Sequence, residues 1–360
     1  MGAPASVIAH ERARHLVFAI SADYERRTGG WIYDTRLMRE LRGRGWTISD
    51  MILPSGFPRP DTEARRIASA QFETLADGTL VVADQLCLGV MPDVACRHAQ
   101  RLRLAMIVHH PLSFDGGSSA DRAALATAER EALAHVALAI VTSQTTADDL
   151  RRRFDVSPDR IVLAPPGIDP QPAASPANTV PSLLSVGALV PRKDHVTLVT
   201  ALAGLEHLPW QLTIVGNTTR APAYVAELYA SIAELRLDHR IMLTGECDDA
   251  ELQSIWRAAD VYVAASHHEG FGMAIAEAIA RGIPVVTTAA GAVQEWLSPQ
   301  AALIVAPGDA CALRDALGAV LAEPARRDAL RHGALEARAR LPYWDDTAAT
   351  VDAALGRLIA

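Results

Sequence analysis

The sequence predicts an α/β fold built from two doubly wound parallel sheets that face each other across a cleft. Three observations predict it. Short apolar runs alternate with helical patterns over nearly the whole chain. The alternation breaks once, over the Pro-, Ala- and Ser-rich stretch Ala164 to Pro181, and then restarts. The chain has 360 residues, half of them hydrophobic, which is long for one core and comfortable for two.

In the first half, "HLVFAI", "TLVVAD", "LAMIVHH", "LAIVTS" and "RIVLAP" read as buried strands. Between them, Trp31–Arg44 and Arg122–His135 place apolar residues at helical spacing. After the linker, "SLLSVG", "LTIVG", "RIMLTG", "DVYVAA", "IPVVTT" and "AALIVAP" are strands, each followed by a helical segment. A last helix is expected after Pro342. The expected division is residues 1–170 and 171–342, with 343–360 as the final helix.

Composition excludes several classes. A net charge of −8 argues against nucleic acid as a partner. Cys87, Cys96, Cys247 and Cys311 form no CxxC pair, so neither a zinc site nor a disulfide scaffold is expected. The apolar run Leu16 to Ile20 is too short for a signal-peptide core or a membrane span, and a cytoplasmic location is expected. Six arginines between Arg26 and Arg44 leave two readings open, a solvated helix face or peripheral contact with an anionic membrane surface. No GxGxxG and no GxxxxGK[ST] motif is present.

Chemistry is expected at the carboxyl ends of the strands, where open α/β sheets bind ligands. In "SHHEGFGMAIAEAIARGIPVVTT" a strand ends, a turn holds Gly270 and Gly272, and a helix begins near Gly272 or Met273. Glycines let a ligand approach the backbone, and the first helical amides form an anion site suited to phosphate. Glu269 stands in the turn, and Glu277 follows a little over two helical turns later. Carboxylates accept hydrogen bonds from hydroxyls, so this pair suits a ligand with hydroxyls on both sides of its phosphates, such as a nucleotide sugar. His267 and His268 beside Glu269 lack an evident third metal ligand.

The loop "ALVPRK" leaves the first strand of the second half and brings Arg192 and Lys193 to the same cleft edge, with Asp194 able to cap the next helix. Lys193 is the chain's sole lysine; every other fixed cation is arginine. A compact ammonium can serve several phosphate oxygens and is not equivalent to a planar guanidinium. Gly29 and Gly30 precede a helix and offer a second close-approach loop across the cleft. "LAMIVHHPL" puts His109 and His110 at a strand end, where one could touch a substrate or be satisfied by nearby backbone; adjacent strand residues point to opposite faces, which disfavours a metal pair.

The string "EGFGMAIAEA" resembles the E-x7-E motif of the retaining glycosyltransferases of family 4. "VGALVPRKDHVTLVTAL", "APPGID", "TGG", "TTAAGAVQEWL" and "LIVAPGD" follow that family's order along nearly the whole chain. The resemblance implies a GT-B architecture of two Rossmann-like domains, an N-terminal acceptor-binding one and a C-terminal one binding a nucleotide-diphosphate sugar, with the final helix crossing back. It implies that Glu269 holds donor-sugar hydroxyls and Glu277 the ribose, and that amides around Gly270, Phe271, Gly272 and Met273 meet sugar and diphosphate. Gly187 and Gly245 are placed with this donor-binding group. Arg192 and Lys193 would stabilise the leaving diphosphate, His109 would face the reacting centre, and Gly29, Gly30 and His110 would lie on the acceptor side. Ala188 stands where many members carry arginine, so Arg192 is expected to bear more of the phosphate charge. No cofactor and no metal are implied. A catalytically weak nucleotide-sugar-binding subunit and a sugar-nucleotide epimerase remain the alternatives.

Overall fold

The computed structural model describes residues 14–25, 28–115 and 117–359. Arg26 and Arg27 of the arginine-rich stretch lie outside the described residues. The first sheet comprises β1 (His15–Ser21), β2 (Thr47–Leu53), β3 (Leu80–Asp84), β4 (Arg103–Val108), β5 (Leu138–Val141) and β6 (Ile161–Leu163), in the order β2-β1-β3-β4-β5-β6. The second comprises β7 (Ser182–Val186), β8 (Gln211–Val215), β9 (Ile241–Gly245), β10 (Val261–Ala264), β11 (Val285–Thr288) and β12 (Ala302–Val305), in the order β12-β11-β10-β7-β8-β9. All pairings are parallel. Strands such as β3 and β5 are apolar along their length because helices cover both faces of the sheet.

Strand β2 was not among the expected strands. It is an edge strand reading "TISDMIL", with only Met51 and Leu53 buried, so it carries no continuous apolar run. The stretch between β6 and β7 has no regular structure, yet it is not loose. Ile168 and Ala174 are buried in the second half's core, and Ala164 in the first half's.

The final helix, Trp344–Ile359, packs against the Gly29–Gly43 helix of the first half. Trp344, Ala348, Val351 and Leu355 share a core with Tyr33, Leu37 and Leu41. Polar ties reinforce it: Thr347 Oγ1 donates to the Pro165 carbonyl at 2.6 Å, and Trp46 Nε1 donates to Asp352 at 2.8 Å. The chain reaches this position through Gly167, where a Cβ would stand 2.1 Å from the Trp344 amide nitrogen. Only glycine fits that crossing.

No described helix is long and apolar enough to cross a membrane. Arg36, Arg39, Arg42 and Arg44 are each paired with a carboxylate, which leaves this helix face charge-balanced.

Candidate active site

Each sheet reverses its winding once, between β1 and β3 in the first and between β7 and β10 in the second. The loops leaving these strands diverge there and open a crevice. The two crevices face one another across a cleft of about 770 Å³ lined by both halves.

On the second half, Glu269 follows β10 and is 6% exposed. Its Oε1 accepts from Lys193 Nζ at 2.6 Å and from Ser266 Oγ at 2.6 Å. Burial alone would raise its pKa, but Lys193 and then Arg192 outweigh it and hold the carboxyl at about 2. The turn around it is braced. Ala292 donates its backbone N–H to the Glu269 carbonyl at 3.0 Å, and Trp296 Nε1 donates to the Phe271 carbonyl at 2.9 Å. The Met273–Ala280 helix then begins from Gly272, whose φ of 91° lies in the left-handed region, and no side chain caps its first amides. Those amides are thus available to an anion.

Asp194 caps the His195–Ala203 helix by accepting from the Thr197 amide at 3.2 Å. This fixes the preceding turn and aims Lys193 and Arg192 inward. Arg192 spans the halves: Nη1 donates to the His268 carbonyl at 2.8 Å, and Nε donates to Asp115 Oδ1 at 3.2 Å. Asp115 also lies 3.1 Å from His110 Nε2. Burial works against its charge, but His110 and Arg192 hold its pKa below the ordinary carboxylate range. Both expected phosphate cations therefore already have carboxylate partners. Arg220, from the loop after β8, also lines the cleft and was not among the expected residues.

The remaining donor-side residues separate. Gly187 lines the cleft with its Cα against the Lys193 stem, where a Cβ would stand 3.2 Å from Cε. Gly270, Phe271, Gly272, Met273 and Glu277 line it as well. Burial raises the Glu277 pKa, opposed by neighbouring Arg281, which lies over Trp256 at 4.8 Å. Gly245 sits behind the wall, its carbonyl accepting from the Gly216 N–H at 2.9 Å, and Glu246 and Cys247 present themselves in its place.

On the first half, Gly29, Gly30, His109 and His110 all line the cleft. The two histidines diverge, His110 toward Asp115 and His109 toward Asp34, whose Oδ1 is 3.2 Å from Nε2. Burial disfavours a charged His109, yet Asp34 outweighs it and the pKa is raised. Asp84 completes the cluster at the end of β3, and burial beside Asp34 pushes its carboxyl up to about 7. Sequence reasoning singled out neither Asp34 nor Asp84, although for Asp84 a carboxylate closing a buried strand at the sheet's ligand edge was a usable signal. Gly270 meets this half directly, since a Cβ there would lie 2.2 Å from the His109 carbonyl oxygen.

Comparison with known proteins agrees with this geometry. The model of "Glycosyl transferases group 1" matches residues 169–336, and that of "Glycosyltransferase Family 4" matches residues 88–172. The fold matches solved GT-B enzymes. Sucrose-phosphate synthase from Thermosynechococcus elongatus superposes with a TM-score of 0.81 at 22% identity, over 96% of this chain and 99% of that one. Anabaena HepE in complex with UDP and glucose superposes with a TM-score of 0.77 at 18% identity, over 96% and 100%. A D-inositol 3-phosphate glycosyltransferase of Xylanimonas cellulosilytica is 33% identical over 232 residues, 59% of this chain and 55% of the relative. An MMP alpha-(1->4)-mannosyltransferase of Mycolicibacterium hassiacum is 27% identical over 326 residues, 85% and 77%. The chain spans about half the length of the first curated relatives it matches, 55% and 50%. On these grounds the chain belongs to the group 1, family 4-type glycosyltransferases.

Proposed function

We propose that the protein is a retaining glycosyltransferase that moves a sugar from a nucleotide-diphosphate sugar to an acceptor hydroxyl without a divalent metal. The observation that carries this reading is the convergence of Glu269, Lys193 and the uncapped Met273–Ala280 helix start on one side of the cleft, with His109 opposite. The bond between the sugar's anomeric carbon and the phosphate oxygen breaks, and the diphosphate leaves with the electron pair. The acceptor oxygen attacks the same face, and its proton passes to the departing phosphate oxygen. Lys193, Arg192, Arg220 and the helix amides supply positive potential where that charge develops. This is the part a metal plays elsewhere, and the sequence contains no Asp-x-Asp motif. Glu269 and Glu277 are read as acceptors for sugar and ribose hydroxyls. UDP and UDP-glucose in the complexes of a structural neighbour support a nucleotide-sugar donor, and the names of the curated relatives support glycosyl transfer.

A thermal-shift panel of UDP-, GDP- and ADP-sugars, followed by transfer assays in excess EDTA with NMR of the product's anomeric proton, tests the reading. One donor is expected to raise the melting temperature and to be turned over with retained configuration. No stabilising donor, an inverted product, or activity abolished by EDTA and restored by a divalent ion would overturn it.

A further inference from the structure

We infer that Asp34 is a positioning residue of the transfer centre, holding the His109 ring in its orientation at the cleft wall. The inference rests on the proposed sugar-transfer reading. It begins with placement. Asp34 comes from the Gly29–Gly43 helix, Asp84 from the end of β3 and His109 from the end of β4. Polar atoms of all three lie within 4.8 Å of one another. Asp34 is fully buried and Asp84 is 2% exposed, while His109 lines the cleft. Asp34 therefore lies beneath the other two, while Asp84 and His109 both line the cleft.

A merely structural role explains this poorly. Buried carboxyl groups are costly to desolvate, and apolar side chains of similar volume usually stabilise a core at least as well. The histidine is also held far more tightly than a filler needs. Its backbone N–H donates to Gln85 Oε1 at 2.5 Å, and its carbonyl accepts from Thr142 Oγ1 at 3.0 Å. Tyr33 meets the ring edge-on at a centroid distance of 5.4 Å. A Cβ on Gly30 would stand 3.1 Å from Cδ2 and Nε2, so glycine there leaves the ring its seat.

The proton inventory follows. Two carboxyls in contact do not both ionise near neutrality. Asp84 is the one whose carboxyl is raised to about 7, by burial and then by the neighbouring Asp34. His109 Nε2 faces Asp34 Oδ1 at 3.2 Å, within ion-pair range though not aligned as a hydrogen bond. With Nε2 turned to Asp34, Nδ1 is the ring nitrogen left to serve a ligand. The charged and titratable groups around the ring are Asp34 and Tyr33 from the helix, Asp84 from β3, and His110 and Asp115 beyond β4. A buried acid that sets the tautomer and orientation of a histidine whose far side meets substrate is a recurring device in group-transfer enzymes.

The test uses the full chain labelled with ¹⁵N-histidine, with the His109 signals assigned by their loss in His109→Gln. The His109 ring is expected to titrate at a higher pH in the wild type than in Asp34→Asn, because Asp34 favours its charged form. Asp34→Asn is expected to lower kcat about 100-fold, the scale of a positioned acid–base group, with donor KM within about threefold. Asp34→Asn added to His109→Gln should cost nothing further. A ring that titrates no lower in Asp34→Asn than in the wild type, additive losses, or His109 signals that shift on adding stoichiometric Zn²⁺ would overturn the assignment. Failure of the wild type to turn over any nucleotide sugar would instead defeat the transfer reading, and the ring's charge state is read independently of it.

Discussion

Replacing Lys193 by methionine removes the ammonium and keeps an unbranched stem against Gly187. Glu269 then retains Ser266 Oγ at 2.6 Å and a more distant Arg192 at 3.9 Å. In the native fold the carboxyl titrates at about 2, against an ordinary value of 4.5. At about 1.4 kcal/mol per unit, that difference stabilises the folded state by on the order of 3 kcal/mol, with Lys193 the largest favourable contributor. The folded pKa is depressed, so this stabilisation is fully present above about pH 4.5 and is lost as pH falls through about 2. Lys193→Met is therefore expected to lose about 2–3 kcal/mol at pH 7, or roughly 4–12 °C in Tm for a half of this size. The loss should shrink as the pH is lowered below 4.5, and adding Glu269→Gln should recover most of it, because a neutral amide needs no cation. Scanning calorimetry at pH 7, 5 and 4 reads all three. A Tm within about 1 °C of wild type at pH 7, or a deficit independent of pH, would refute the reasoning.

Gly30→Ala places a methyl 3.1 Å from the His109 ring; it should lower kcat roughly tenfold by displacing the ring a few tenths of an ångström, with little change in Tm by calorimetry. Glu295→Ala removes the carboxylate that accepts from the Gln144 and Thr145 amides at 3.0 and 2.5 Å across the cleft. It should cost about 1 kcal/mol, the usual worth of a helix cap, and increase the radius of gyration in solution scattering. Glu129 is fully buried, and burial raises its carboxyl to about 8. A raised carboxyl pKa destabilises the fold progressively as pH rises from about 4.5 through 8, so the Tm of Glu129→Gln relative to wild type should climb between pH 5 and pH 8.

The alternation of apolar runs and helical patterns was enough to read two parallel sheets, because strands covered on both faces must be apolar throughout. It failed at β2, where an edge strand exposes most of its length and looks like a loop. Lys193 and Glu269 were legible because each stands in the loop leaving a strand next to the winding reversal of the second sheet, where ligand sites form. Their mutual pairing at 2.6 Å was not, since it depends on how two loops separated by 76 residues converge. Asp34 was least legible. It stands among arginines on a helix whose charges otherwise face solvent, and nothing local distinguishes the one acid that tertiary packing turns inward. The Ala164 to Pro181 stretch looked like a free linker from its composition, but position decides its role, because Ile168 and Ala174 have a core to enter.

The seat of Trp344 on Gly167 has a consequence for recombining such enzymes. The first half is not contiguous in sequence: its core is finished by residues that come last in the chain. A fragment cut at the stretch before β7 would leave Tyr33, Leu37 and Leu41 without their covering helix and the Trp46 indole without Asp352. The transplantable unit is instead a single insert bounded on one side by Gly167 and on the other by Trp344, two junctions that touch in space. A chimera that exchanges the second half between relatives keeps a closed first half only if both cuts fall there.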